Sequence, residues 1–260
     1  MRLFLYLSIL LPFFAKAQEI EVVPIAQKSL TIDRFIGVDE YKNLYFINGN
    51  VFHKQTAKKD FQYSDLQLGT VTSVDIINPL RITLFYEKVN MAVILDNALN
   101  EITRVDFNQL ENFKNVTHAR TASDRRLWIF NSDLRQVELF DYRNNSVRVT
   151  SPPLPDPVME MASNFNTCWV YTGKKLQAFN NYGSLIYTLA ANDLERIRQF
   201  RDHILAIKNG KLVTLNKVQH DFIDVNLDEK ELDQLFWTGE ILYIYNGNSL
   251  STYNLKLPKN

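Results

Sequence analysis

The chain has 260 residues, with 29 basic and 29 acidic side chains, a hydrophobic content of 46% and one cysteine. The even charge balance argues against binding to nucleic acid or to an anionic membrane through an excess of basic side chains. A single cysteine excludes an internal disulfide, and the apolar content is sufficient for one large domain.

The N-terminus has the pattern of an export signal. Arg2 supplies a positive charge, residues 3–14 are almost wholly apolar, and Ala15-Lys16-Ala17 forms a small-x-small cleavage site. The apolar stretch is shorter than the roughly 20 residues that a membrane-spanning helix needs. The pattern therefore predicts a signal peptide over residues 1–17 and a single mature domain over residues 18–260.

Export sets the expected compartment. The mature chain would carry 27 basic and 29 acidic residues, because Arg2 and Lys16 leave with the signal. No later segment is apolar enough to cross a membrane, and Cys168 lies far from the cleavage point, where a lipoprotein needs its cysteine. We therefore expect a periplasmic protein, free or peripheral at the outer membrane, without a transmembrane segment.

A short apolar and aromatic strand recurs six times. Its copies begin 38, 45, 41, 36 and 37 residues apart, near the roughly 40–50 residues of a four-stranded propeller blade. The six copies read Leu44-Tyr45-Phe46-Ile47, Ile82-Thr83-Leu84-Phe85, Leu127-Trp128-Ile129-Phe130, Cys168-Trp169-Val170-Tyr171, Ile204-Leu205-Ala206-Ile207 and Ile241-Leu242-Tyr243-Ile244. The repeat predicts an all-β fold, a six-bladed β-propeller. Seven blades, one of them degenerate, are the alternative, because 8 glycines are few for a propeller.

Turn residues separate the strands of each repeat. Asn48-Gly49, Asn209-Gly210 and Asn246-Gly247 are strong hairpin signals. Two short charged stretches, residues 191–200 and 227–235, are compatible with a helix but are predicted mainly as loops. Five second strands end in a carboxylate or amide that favours a turn, namely Asp96, Asp141, Asn180, Asn216 and Asn254.

The two ends of the repeat complement each other. The sixth unit lacks a fourth strand, whereas a spare alternating strand, Ile20-Glu21-Val22-Val23, precedes the first unit. Pairing the spare strand with the last blade would close the ring and cover an exposed sheet edge. We predict that the N-terminal strand completes blade six.

The sequence carries no recognised catalytic motif. It has no nucleophile elbow, phosphate-binding glycine loop, zinc-protease helix or calcium loop. The histidines at 53, 118, 203 and 220 lack ligand-like spacing. Cys168 takes the position that Leu or Ile holds in the other repeats, which predicts a core thiol. We expect no catalytic residue, metal or cofactor.

Polar side chains on the innermost strands are the candidates for ligand binding. These strands are predicted near residues 36–39, 74–77, 117–120, 159–162, 197–200 and 234–237, where they would line the central channel. Convergence of their side chains would suit a charged ligand or acid–base chemistry, although pairing among themselves is the simpler expectation. The channel candidates are Asp39, Asp75, His118, Arg120, Glu160 and Arg198.

Two loops are candidate partner contacts. The proline-dense segment 151–157 is stiff, and its Pro152, Pro153, Leu154 and Pro155 would form a preformed extended binding segment or a rigid linker. The second loop, residues 107–115, carries Leu110 and Phe113, which we expect to pack.

Several segments resemble a family of secreted β-propeller proteins from Bacteroidota-type bacteria to which no activity is assigned. The resemblance lies in the stretch 66–80, Leu95-Asp96-Asn97, residues 99–102, Leu127-Trp128-Ile129-Phe130-Asn131 and Tyr182-Gly183-Ser184-Leu185. It implies a propeller fold and export, and it implies no site residue. The predicted architecture is also similar to the propeller scaffolds of outer-membrane protein assembly.

Two functions remain open from the sequence. The absence of catalytic motifs favours a non-catalytic scaffold that binds other envelope proteins, with an exposed apolar patch on a blade or rim loop. The alternative is a carbohydrate- or small-ligand-binding propeller, including a hydrolase or lyase that uses channel carboxylates.

Export yields the first testable prediction. Mass spectrometry of the protein isolated from its native bacterium should find Gln18, free or cyclised, as the first residue. A mature pool that retains Met1 would reject the signal peptide.

Overall fold

The computed structural model describes residues 20–227 and 232–258, and these form six four-stranded antiparallel sheets. Regular helix among them is confined to one 3-10 turn, Glu87–Val89. In five of these sheets the strands run outward in chain order from an innermost first strand, whereas the sixth takes its outermost strand from the N-terminal end. Innermost strands of neighbouring sheets lie side by side. The predicted all-β, six-bladed propeller is confirmed, and the seven-blade alternative is wrong. The predicted signal peptide lies outside the described residues.

The first three blades follow one another without interruption. Their strands are β2 (Arg34–Val38), β3 (Leu44–Asn48), β4 (Val51–Gln55) and β5 (Asp60–Tyr63) in blade one; β6 (Ser73–Asp75), β7 (Ile82–Tyr86), β8 (Met91–Leu95) and β9 (Glu101–Asp106) in blade two; and β10 (Val116–Thr121), β11 (Arg126–Asn131), β12 (Gln136–Asp141) and β13 (Ser146–Thr150) in blade three.

Blades four and five repeat this order, and blade six takes its outermost strand from the N-terminal end. Their strands are β14 (Glu160–Ser163), β15 (Thr167–Tyr171), β16 (Lys175–Asn180) and β17 (Leu185–Ala190) in blade four; β18 (Leu194–Phe200), β19 (His203–Lys208), β20 (Lys211–Asn216) and β21 (Asp221–Asp224) in blade five; and β22 (Gln234–Thr238), β23 (Ile241–Tyr245), β24 (Ser249–Lys256) and β1 (Glu21–Ser29) in blade six.

The ring closes through β1. This strand pairs antiparallel with β24 from Glu21 opposite Lys256 to Ser29 opposite Ser249, which confirms the predicted closure over a longer segment than expected. Its register shifts between Pro24 and Ala26. A proline and a bulge on an outer strand discourage further strand addition, so the closing strand also protects the free edge of blade six.

Two further contacts join blade six to blade one. The hydroxyl of Tyr245 lies 2.8 Å from the carbonyl oxygen of Ile32 and accepts the amide of Ile32 at 3.2 Å, in the segment between β1 and β2. Gly37 packs against Phe236, where a Cβ would lie 2.5 Å from the ring. The absence of a side chain at Gly37 lets the two innermost strands approach.

The hydrophobic core lies between the blades. Six apolar clusters occupy the six interfaces between neighbouring described sheets, and the recurring strand of each blade supplies fully buried residues to them. Trp128 and Phe130 of blade three, for example, share a cluster with Cys168 and Val170 of blade four. Stability is therefore spread around the ring, and each interface depends on both blades that form it.

Side-chain oxygens close the turns that follow the second strands. The Oδ1 atom of Asp96 accepts the amides of Ala98 and Asn100, and Asn180 does the same with Tyr182 and Ser184. The predicted turn residues Asp141 and Asn216 likewise accept amides two residues ahead. At Asn209-Gly210 both residues have positive φ, 51° and 71°, the conformation that a two-residue hairpin requires.

Two sequence interpretations are wrong. Residues 194–196, which lie in a stretch predicted mainly as a loop, extend the innermost strand predicted near residues 197–200, and together they form β18 of blade five. Their charges suggested an exposed loop. An innermost strand can carry charged side chains as well, because it can place them in the channel. Asn254 lies within β24 and starts no turn. The other predicted loop, residues 227–235, lies partly outside the described residues, and its end forms the start of β22.

Cys168 lies in the core, as its repeat position predicted. It is completely buried among apolar side chains of blades three and four, and burial raises the pKa of its thiol. Because thiol reagents attack the thiolate, labelling with a maleimide should be negligible in the native protein and complete after denaturation. Rapid native labelling would place Cys168 outside the core.

Loss of the closing strand gives a further prediction. Deleting residues 18–29 removes β1, exposes the edge of β24 and uncovers the apolar cluster between blades five and six, which Ile20 and Val22 join. We expect a loss of several kcal/mol, about 10 °C in melting temperature, and aggregation through the open edge. Differential scanning calorimetry and light scattering measure both effects.

Neighbouring residues of β1 provide a matched control. Val22 packs against that cluster, whereas Val23 is 45% exposed. Val22→Ser should lower the melting temperature clearly and Val23→Ser should leave it almost unchanged. Equal effects of the two substitutions, or a deletion variant as stable and soluble as the full chain, would contradict the closure.

Candidate functional site: the central channel and the rim of blade three

A cavity of about 1280 Å³ occupies the centre of the ring. The innermost strands of all six described blades line it, namely β2, β6, β10, β14, β18 and β22. All six predicted channel residues, Asp39, Asp75, His118, Arg120, Glu160 and Arg198, border this cavity. The structure therefore brings the sequence-predicted candidates to one place, and their individual contacts decide what each can do.

Asp39 has a structural role at the end of β2. One carboxylate oxygen accepts the amides of Tyr41 and Asn43, and the other accepts the Asn43 side chain and the Tyr45 hydroxyl at 2.8 Å. Burial and this hydrogen bond to Asp39 raise the pKa of Tyr45. Asp39 repeats the turn made by Asp96, and both its oxygens are already engaged.

Asp75 is also held by protein donors. One oxygen accepts the amide of Ile77 at 3.0 Å, and the other accepts the amide of Thr121 in the next blade at 2.9 Å. Asp75 thus links blades two and three at the channel wall. Its two oxygens are satisfied by backbone groups, which suits a positioning contact better than proton transfer to a ligand.

Glu160 forms an ion pair within the channel. Its Oε1 lies 2.8 Å from Nη1 of Arg196, and its Oε2 lies 3.9 Å from Nη1 of Arg198. Burial lowers the pKa of Arg198 to about 10, so the guanidinium remains charged at neutral pH. The Arg198 side chain lines the cavity, and 34% of its surface is exposed.

Arg120 and His118 lie on β10, next to blade four. Arg120 donates from Nε to the carbonyl oxygen of Met161 at 2.9 Å. Burial, together with the positive charge of Arg120, lowers the pKa of His118. This environment favours the neutral imidazole.

Two arginines of the innermost strands were not predicted as cavity residues, and neither was Arg201, which follows β18 and also borders the cavity. Arg196 lies on β18, in a segment predicted as a loop, two positions before Arg198. Arg34 begins β2 two residues before the predicted start, and it donates to the carbonyl oxygens of Val71 and Thr72. Extending the innermost strand predicted near residues 197–200 by one residue would have included Arg196. No local signal distinguished Arg34.

The channel wall carries charges of both signs. The described residues that border the cavity include five arginines and six carboxylates. On the innermost strands alone, four arginines accompany the carboxylates of Asp75 and Glu160. Among all the residues that the structure describes, no group of three or more His, Cys, Asp or Glu side chains is arranged to hold a metal ion. The arginines of the innermost strands are therefore the groups of this wall that could bind negative charge, although the wall as a whole is close to neutral.

The second candidate site lies on the rim of blade three. Three loops run side by side there: the amide of Ser132 donates to the carbonyl of Asn115, and the amide of Leu154 donates to the carbonyl of Arg135 at 2.7 Å. Phe113 and Leu134 are 56% and 55% exposed on two of these loops. We call the exposed apolar side chains of the three loops the blade-three rim patch, and its members are Phe113, Leu134, Pro152, Pro153 and Pro155.

Two loop predictions need correction. Leu154, a predicted partner contact, is only 3% exposed and packs in the cluster between blades three and four. Its burial fixes the loop and leaves Pro152, Pro153 and Pro155 at the surface. In the loop 107–115, Leu110 packs on the core as predicted, whereas Phe113 faces solvent.

Comparison with known proteins supports the fold and assigns no family. No family model and no curated protein matches the chain. A virginiamycin B lyase from Staphylococcus aureus is 12% identical with a TM-score of 0.61, over 92% of this chain and 100% of the other. PorZ, a surface component of the type-IX secretion system of Porphyromonas gingivalis, is 13% identical with a TM-score of 0.53, over 84% of this chain and 31% of PorZ. BamB from Moraxella catarrhalis is 12% identical with a TM-score of 0.49, over 86% of this chain and 72% of the other. At these identities the chain is similar to its neighbours in fold alone.

Proposed function

We propose that this chain is an exported, non-catalytic β-propeller that acts as a protein-interaction scaffold in a bacterial envelope complex, in the periplasm or at the periphery of the outer membrane. The observation that carries the proposal is the blade-three rim patch. Exposed apolar side chains grouped on neighbouring loops are typical of surfaces that bind another protein. The N-terminal export pattern supports the compartment. In the described residues no helix is long and apolar enough to cross a membrane.

The loops of the patch are ordered before any partner binds. Backbone hydrogen bonds join residue 132 to residue 115 and residue 154 to residue 135. The side chain of Arg135 also donates to the carbonyl oxygen of Pro155 at 3.3 Å, and buried Leu154 anchors the proline segment. A partner would therefore meet a surface whose conformational entropy has already been lost on folding. This pre-organisation favours affinity, because less ordering accompanies binding.

The contacts of the channel carboxylates support a non-catalytic protein over a hydrolase or lyase. Asp39 and Asp75 have both oxygens engaged by backbone or neighbouring side-chain donors, and Glu160 is paired with Arg196. General acid–base catalysis needs a carboxyl group within hydrogen-bonding reach of a substrate proton. The engaged carboxylates therefore favour the scaffold over an enzyme that uses them.

The patch can be tested by interaction analysis in the native bacterium. Tagged full-length protein should co-purify with a defined envelope protein after cross-linking. The double substitution F113S/L134S should reduce recovery of that protein at least about fivefold, because it removes apolar contact area at the centre of the patch. Quantitative mass spectrometry measures the change.

Val218 provides the matched control. It is 81% exposed and follows the second-last strand of blade five, away from the patch. Val218→Ser should leave recovery unchanged, and all variants should melt at the wild-type temperature because the substituted side chains are exposed. Identical recovery with F113S/L134S and wild type, or wild type isolated without any envelope partner, would overturn the scaffold proposal.

A further inference from the structure

Two guanidinium groups that line the channel have terminal nitrogens without a described hydrogen-bond acceptor. Arg120 projects from β10 and Arg198 from β18, and these strands contact β14 from its two sides. Arg120 uses only its Nε for a described protein hydrogen bond, to the carbonyl of Met161. Both of its terminal nitrogens remain without an acceptor among the residues that the structure describes.

Arg198 is similarly under-satisfied. It donates to the carbonyl oxygens of Leu235 at 3.3 Å and Ile197 at 2.8 Å, and these contacts use Nε and Nη1. Its Nη2 has no acceptor in residues 20–227 and 232–258. The carbonyls fix the orientation of the guanidinium without neutralising its charge.

The nearby carboxylates do not balance these charges. Glu160 is committed to Arg196 at 2.8 Å and reaches Arg198 only at 3.9 Å. The oxygens of Asp75 accept two backbone amides. No described carboxylate oxygen lies within 4.0 Å of a nitrogen of Arg120. Partly exposed guanidinium groups with free N–H donors can bind an anion that enters the channel.

We propose that the central channel binds a small organic anion, whose carboxylate or phosphate group is held between Arg120 and Arg198. A guanidinium presents its N–H donors in a planar fork that matches the oxygens of a carboxylate or phosphate, so two of them can hold one anion. The site is distinct from the blade-three rim patch, and it requires no catalytic step.

The size and border of the cavity indicate an organic ligand. A volume of about 1280 Å³ is far larger than an inorganic ion needs. Exposed apolar side chains also border the cavity, on the loops that join the first and second strands of blades one, two and four. These are Tyr41, Leu80 and Phe165. An anion with an apolar part would contact both the arginines and this border.

Isothermal titration calorimetry at constant ionic strength tests the proposal. The probes are phenyl phosphate, 4-phenylbutyrate, inorganic phosphate and the uncharged 4-phenylbutanol. We expect both organic anions to bind, and to bind about tenfold more tightly than either inorganic phosphate or the uncharged alcohol. No binding of either organic anion up to about 10 mM, or equal binding of the alcohol, would overturn the proposal.

Charge variants locate the site. Arg120→Gln and Arg198→Gln should each weaken phenyl phosphate binding about tenfold, whereas Arg198→Lys should retain part of the affinity. Glu160→Gln should strengthen binding, because it removes a carboxylate that lies 3.9 Å from Arg198 and 2.8 Å from Arg196. An unchanged or lower affinity of Glu160→Gln would contradict the model.

Arg148→Gln is the matched control. It removes the same charge from the outermost strand of blade three, where Arg148 pairs with Asp141 at 3.2 Å. Its affinity for phenyl phosphate should equal that of wild type. If Arg148→Gln weakens binding as much as Arg120→Gln does, the attraction belongs to the net charge of the protein and the channel site is wrong. Melting curves establish that every variant is folded.

Discussion

The pairing of β1 with β24 is the interaction on which the rest of the structure depends. Each blade buries its apolar residues only against its two neighbours, so an open array would leave two faces without a partner. The strand from the N-terminal end completes blade six, and Tyr245 and Gly37 then bring that blade against blade one. Closure is non-covalent, since Cys168 is the only cysteine and is buried in another interface.

A closed ring also determines what the channel can contain. The innermost strands are held at fixed positions by six interfaces, and backbone carbonyls orient the guanidinium groups of Arg120 and Arg198. Donors fixed in this way lose little freedom when a ligand arrives. The rim of blade three is fixed in a similar way. Buried Leu154 anchors the proline segment, and the prolines beside it face solvent. The scaffold surface and the channel therefore both depend on a core that is complete only when the ring is closed.

The fold was largely predictable because its signals are local and repeated. The strand that contains Trp128 or Trp169 recurs at blade spacing, and residues such as Asp96 and Asn180 mark turns through hydrogen bonds within four residues. The missing fourth strand of the last unit and the spare Ile20–Val23 segment revealed the closure. These features need no knowledge of contacts between distant residues.

The site was less predictable because it depends on contacts between blades. All six channel candidates border the cavity, but only the structure shows that Asp39 closes a turn and that Asp75 accepts an amide from the next blade. Arg196 was missed because charge along β18 resembled a loop. Leu154 was misjudged because its burial depends on residues of two blades. The sequence identified residues near the channel, and the distances showed which carboxylates are engaged and which arginine nitrogens have no described acceptor.

Native-state hydrogen exchange followed by mass spectrometry tests the closed ring most directly. The amides of β1 are protected only if this strand pairs with β24, because β1 has no other partner strand among the described sheets. Peptides covering residues 22–28 should exchange slowly. The free energy of the opening that exposes their amides should be nearly the same as for the β23 and β24 peptides. Rapid exchange of residues 22–28 while β23 stays protected would show that the ring is open, and would contradict the account.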